Sequence, residues 1–244
     1  MSHAAVRQRG ELRAGPASLE GLRWLARVGP SPLDAWAVGM GWAPSTAYSH
    51  AARLVRSGWV QRSATMLSAG SLLSATRTGV AVCQVEALPV WSEPAAASWG
   101  HLRACAWTAA WLSARGRVMV GSRELLLDDG WRREVEWLEH SGLRRRGHRP
   151  DLLAGMPGAG LLPIEVELAR KSTPRLRSIL ALHATWIAAG KTGAVIYICG
   201  TEKGLDRVVK YAGEVGLGRE QNTLRAELLA DIRQQAIGAR RGDG

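Results

Sequence analysis

Three acids and a lysine stand close together in the stretch from Arg149 to Lys171, RPDLLAGMPGAGLLPIEVELARK. Asp151 opens one short apolar run. In the next run, period-two alternation puts Ile164, Val166 and Leu168 on one face of a strand and Glu165 and Glu167 on the other. Two carboxylates on adjacent strands are oxygen ligands for an octahedral Mg²⁺ or Mn²⁺, which holds water for in-line attack on phosphorus. Asp151 and Glu165 are therefore the candidate metal ligands, and Asp151, Glu165, Glu167 and Lys171 the candidate catalytic set. A lysine two residues after Glu165 would orient the water and stabilise the charge that develops on phosphate, but that position holds Glu167. Lys171 shares the strand parity of Glu167 but lies about 13 Å further along an extended chain, at about 3.3 Å per residue, so it serves only if the chain turns first. The Thr173-Pro174 pair just beyond favours such a turn. The alternative is a polar face without catalysis, its acids held by Arg149, Arg170 or Lys171.

What such a site would act on follows from charge. The 244 residues carry a formal net charge of +11, and 28 of the 32 basic residues are arginine. Arginine makes bidentate contacts to phosphate and to guanine edges, which favours double-stranded DNA as the partner. A GC-rich genome would also favour arginine codons, which weakens the preference for arginine over lysine but not the net charge. The cysteines, Cys83, Cys105 and Cys199, are far apart and sit in apolar runs, as reduced core residues of a cytoplasmic protein do. No apolar stretch reaches the length of a membrane span, and the N-terminus lacks a hydrophobic signal core.

The elements that must position these groups fall into two parts. After a basic arm over 1–18 with Arg7, Arg9 and Arg13, a helix runs to Gly29-Pro30. A second helix follows, with Ser31 as N-cap and Pro32 at its first position. A third, STAYSHAARLVRSGW, packs Ala47, Ala51, Leu54 and Val55 inward and presents Ser45, Thr46, Ser49, His50, Arg53 and Arg56 outward. RLVRSGWVQR followed by LSATRTG, with Thr76 capping the next helix, is similar to the winged helix-turn-helix pattern over 19–86. In that pattern the third helix enters the major groove. Purely protein-binding winged helices share the same core, and the residues between Arg62 and Leu72 offer no further basic residue for a phosphate clamp. Residues 87–98, with two prolines, read as a linker.

Over 99–217 the spacing predicts a helix ending at Gly116, a short strand RVMV, and a charged excursion over 122–147 that is helical or irregular. A strand pair around MPGAG follows, then a helix from Ser172 or Thr173 with Pro174 at its start, a buried strand GAVIYICG, and a further helix. That order, with Pro150-Asp151 and then Glu165, resembles the PD-(D/E)xK nuclease fold. The expected fold class is thus α+β, a winged helix-turn-helix followed by a nuclease-like α/β domain. Residues 218–244 read as an extra helix marked by Leu224, Leu228 and Ile232, then a tail.

The winged-helix pattern, His101 opening a helix, SREL, RPDLL, IEVELARKS and VIYIC occur in an order that resembles the actinobacterial replication-relaxation family, over residues 20 to 217. The resemblance implies DNA binding in the replication or transfer of plasmids and mobile elements, alongside replication or conjugation proteins. It leaves three readings open: a DNA-binding protein with a degenerate nuclease-like domain, an active Mg-dependent endonuclease or nickase, and an adaptor in a replication or transfer complex. Where the family often has an acid before Arg-Glu-Leu, this chain has Ser122.

Overall fold

A computed structural model describes residues 15–64, 70–85, 87–90, 95–156, 160–169 and 171–242. The arm arginines Arg7, Arg9 and Arg13 lie outside these residues, as do Arg170, part of the expected wing and part of the expected linker. The described chain is α+β, with three sheets. No described helix is long and apolar enough to cross a membrane. The three cysteines are free and buried.

The first part begins with α1 (Pro16–Val28), β1 (Ser31–Pro32), α2 (Leu33–Gly39) and α3 (Pro44–Arg56). The antiparallel pair β2 (Val60–Ala64) and β3 (Ser71–Ala75) leads into α4 (Arg77–Val82). Ser31 and Pro32 do not start α2. They pair with Leu73 and Leu72 as a third strand, and the helix begins at Leu33 without a side-chain cap. The Thr76 hydroxyl does cap α4, accepting the Gly79 N–H at 3.1 Å.

The second part opens with α5 (Trp99–Ser113), β4 (Met119–Val120) and a single-turn α6 (Ser122–Leu125). The excursion after it is not a loop, because β5 (Arg133–Glu139) and β6 (Gly142–His148) form an antiparallel ribbon. A run of arginines hides its strand character, since it shows no apolar alternation; opposite charges facing across the ladder stabilise it instead, as in Glu136 against Arg145 at 2.7 Å. The remaining elements are β7 (Leu152–Met156), β8 (Gly160–Glu167), α7 (Thr173–Ala188), β9 (Val195–Cys199), α8 (Glu202–Gly213), β10 (Leu224–Leu228) and α9 (Leu229–Gly242). The main sheet runs β10-β9-β8-β7-β4, antiparallel from β4 to β8 and parallel from β8 to β10. Leu224 and Leu228 therefore belong to a strand, and the terminal helix starts one residue later. A spacing of four suits a helix face and, being even, a strand face as well.

One hydrophobic core crosses both parts. Leu22, Trp36 and Leu54 from the first share a cluster with Trp111, Ile164 and Ile232 from the second. Buried on nearly every side, α5 is the common wall. The SREL segment fastens the two. Arg27 meets Glu124 at 2.9 Å, and the Ser122 hydroxyl donates to the Val28 carbonyl at 2.8 Å. Gly121 lies so close to α1 that a Cβ there would sit 2.2 Å from the Arg27 oxygen. A shared core predicts one cooperative unfolding transition. Trp36→Ala, which empties a fully buried indole site, should lower stability by about 3 to 5 kcal/mol while keeping a single transition. Two resolved transitions in calorimetry would contradict the shared core.

Candidate active site

The face of the sheet opposite α5 carries the acids. Residues paired in a parallel ladder project to the same side, and Glu165 pairs with Tyr197 and Glu167 with Cys199. α7 lies over this face and brings His183, while β6 ends in His148 beside it. Glu165 is almost wholly buried, at 2% exposure. Its Oε1 is met by His148 Nε2 at 2.8 Å and His183 Nε2 at 3.0 Å. Burial alone would raise the Glu165 carboxyl, but the charges and hydrogen bonds of the two imidazoles hold it well below the usual carboxylate range. Burial would lower His148, and the facing Glu165 carboxylate overrides it, so that its pKa is raised.

Asp151 stands just before β7, where its backbone N–H donates to the Ile164 carbonyl at 2.9 Å. Its Oδ2 accepts the Val166 N–H at 2.7 Å and its Oδ1 meets His101 Nε2, from the first turns of α5, at 2.9 Å. The hydrogen bond to Asp151 raises the His101 pKa against the opposing effect of burial. Behind it, burial pushes the Cys105 thiol well up, and the nearby Asp151 and Glu165 add to this. These surroundings favour the neutral thiol over the thiolate.

The turn that Lys171 requires is present. The strand stops at Glu167, and the chain folds back so that the Lys171 backbone N–H reaches Glu167 Oε1 at 3.3 Å while its ammonium pairs with Glu167 Oε2. Arg207 donates to the Lys171 carbonyl and helps hold the turn. Asp151, Glu165 and Lys171 thereby line one cleft of about 840 Å³, together with His101, His148 and the arginines Arg146, Arg149 and Arg175. Glu167 is turned away from it, into the Lys171 pair and a smaller neighbouring pocket. The three acids do not form one ligand set. Among the described residues, the groups close enough to share an ion are His101, Cys105 and Asp151, and separately His148, Glu165 and His183.

On α3, Ser45, Thr46, Ser49, Arg53 and Arg56 are exposed as the spacing predicts. His50 is half-buried at the edge of that face. It hydrogen-bonds Ser18 at 2.7 Å and stacks on Trp42 with ring centres 4.3 Å apart, so it braces α3 against α1 and the preceding turn. Val55, expected inside, is partly exposed, and Tyr48 joins the outer face at 60% exposure. Sequence reasoning missed His148 and His183. The signal for His183 was a lone histidine in the otherwise apolar stripe Leu176, Ile179, Leu180 and Trp186 of α7.

Removing the Glu165 charge should expose what it compensates. In the metal-free protein, Glu165→Gln should cost about 1 to 3 kcal/mol of stability, because two buried imidazoles lose a charged partner. Burial then outweighs the remaining pull of Asp151 on His148, so its pKa should fall; an unchanged titration of the His148 ring in NMR would contradict the pairing. No family model, curated protein or solved structure matches the chain significantly, so the chemistry of the cleft is read from its own side chains.

Proposed function

We propose that this chain is a duplex-DNA-binding protein of the replication-relaxation type, working on plasmid or mobile-element DNA, and that its cleft hydrolyses a phosphodiester bond with the help of a divalent cation. The observation that carries this reading is the meeting of Asp151, Glu165 and Lys171 on one arginine-lined cleft. Lys171 arrives by the turn after β8 to line the cleft with its ammonium on Glu167, and we assign it the role of the lysine that the sequence lacks at Glu167.

Topology supports both parts. Three helices, a hairpin and a short strand added beside β3 are what a winged helix contains. A helix, three antiparallel strands, a helix and a parallel strand are the parts of a PD-(D/E)xK core, here with the β5–β6 ribbon inserted. Ser45, Thr46, Ser49, Arg53 and Arg56 offer hydroxyl and guanidinium donors to base edges and phosphates in a major groove.

At the cleft, Arg146, Arg149 and Arg175 neutralise phosphates on either side of the scissile one. The Lys171 ammonium stabilises the charge that develops on the attacked phosphate. Glu165 would hold the cation on the cleft wall near Asp151, and the cation when bound supplies Lewis-acid polarisation and a more acidic water. His101 fixes the Asp151 carboxylate from one side and the Val166 N–H from the other.

A second reading, DNA binding without cleavage, is favoured by the same two hydrogen bonds, because both Asp151 oxygens already have protein partners. Two measurements separate these. Duplex binding followed by fluorescence anisotropy should weaken steeply with salt, and Arg53→Ala with Arg56→Ala should cost about 1 to 3 kcal/mol if either arginine reads a base. Binding that ignores both replacements removes α3 from the interface. Lys171→Met should leave duplex binding intact and slow plasmid nicking by about 100-fold. A wild-type chain that binds but never nicks selects the second reading.

A further inference from the structure

We propose that His148, Glu165 and His183 form a cation site at the floor of the cleft, built for a first-row transition ion such as Zn²⁺ or Mn²⁺ in preference to Mg²⁺. The inference deepens the hydrolytic reading of the cleft and rests on it for the ion's purpose. The sequence points to Mg²⁺ or Mn²⁺ on Asp151 and Glu165 alone; the side chains gathered around Glu165 offer a different donor set.

Geometry carries the assignment. The two Nε2 atoms lie 2.8 and 3.0 Å from the same Glu165 oxygen, and all three ligand atoms fall within 4.8 Å of one another. Bonds of about 2.0 to 2.1 Å to a common tetrahedral ion place ligands about 3.3 to 3.4 Å apart. An ion can therefore replace the N–H protons once the side chains part by a few tenths of an ångström. The donors come from three different elements, the end of β6, the middle of β8 and the body of α7. Such a site is held by the fold and not by a loop.

A second observation points to an additional occupant. Tyr197 Oη is buried without a hydrogen-bond partner, and Tyr197 lies on the Glu165 face of the sheet. Buried polar atoms are nearly always bonded, so an orphan hydroxyl on the carboxylate's own face marks a pocket that the protein does not complete by itself. The third consideration is chemical. Mg²⁺ takes oxygen ligands and keeps most of its water, whereas two imidazoles and a carboxylate suit Zn²⁺, Mn²⁺ or Co²⁺. His148 and Glu165 line the cleft and His183 lies behind them, so the open coordination positions of such an ion would face the cleft beside Asp151.

The rival host is His101, Cys105 and Asp151. Its sulfur lies 3.5 Å from the His101 nitrogen. Thiolate ligation there would be visible as a near-ultraviolet charge-transfer band of a Co²⁺ complex, which nitrogen and oxygen ligation lacks.

The test uses the untagged full chain, stripped with a chelator and titrated by calorimetry with Zn²⁺, Mn²⁺ and Mg²⁺, and by absorption with Co²⁺. One equivalent of Zn²⁺ should bind and resist competition by excess Mg²⁺. Co²⁺ should give visible bands without the thiolate band. His148→Gln and His183→Gln should each weaken Zn²⁺ binding by roughly tenfold or more, and Cys105→Ser should leave it unchanged. Circular dichroism checks that the variants are folded, and the wild-type cobalt spectrum stands as evidence should either fail to fold. No uptake of Zn²⁺, Mn²⁺ or Co²⁺ by the wild type, equal competition by Mg²⁺, or binding lost in Cys105→Ser would overturn the site. A chain that takes Zn²⁺ yet cuts no DNA keeps the site and loses the hydrolytic reading. One that nicks with Mg²⁺ but never takes up Zn²⁺ does the reverse.

Discussion

A carboxylate inside a protein is costly unless opposite charge or donors meet it, and Glu165 sits near the middle of the main sheet with almost no exposure. Two imidazoles resolve that cost, and in doing so they fix much of the second part of the chain. His148 ties the end of the β5–β6 ribbon to β8, and His183 ties α7 to the same oxygen. The ribbon and helix are joined again by the Ser178 hydroxyl donating to the Glu136 carbonyl at 2.6 Å. Arg146 of the ribbon thus comes to stand at the rim of the cleft because the ribbon's last residue is anchored at the floor.

The opposite face of the sheet does a different task. Ile164, Val166, Ile196 and Ile198 pack against α5, whose other sides meet α2 and α9. The helix that carries His101 into the cleft is therefore the same one that joins the two parts of the chain. A buried helix held on several sides places its first turns reproducibly, which is what a group that positions Asp151 requires. Motion of the first part relative to the cleft would have to disrupt this core and the Arg27–Glu124 latch.

Sequence periodicity made the strands and helices with one wet face legible. The third helix was visible as Ala47, Ala51 and Leu54 against a polar outer row, and β8 as Ile164 and Val166 alternating with two glutamates. Local patterns misled where tertiary pairing decides. Ser31 and Pro32 have the chemistry of a helix start but are taken by β3, and Leu224 and Leu228 have a spacing shared by helix and strand. His50 belongs by spacing to the outer row of α3, yet Ser18 and Trp42 draw it inward. At the site, the acids and Lys171 could be read from their order along the chain. The grouping of Glu165 with His148 and His183, 17 and 18 residues away, could not, because no local rule links a ribbon end, a strand and a helix. Nor could the separation of Asp151 from Glu165 into different ligand groups, which depends on the Val166 N–H and His101 capturing the aspartate.

Supercoiled plasmid incubated with the chain and Mn²⁺, with Glu165→Gln alongside, tests most directly whether the cleft works on DNA. Open circles should accumulate with the wild type and vanish with chelator, while the variant retains the plasmid in a gel shift and leaves it supercoiled. A wild-type chain that leaves every plasmid supercoiled, or a Glu165→Gln chain that nicks at the wild-type rate, would contradict the role given to the buried carboxylate.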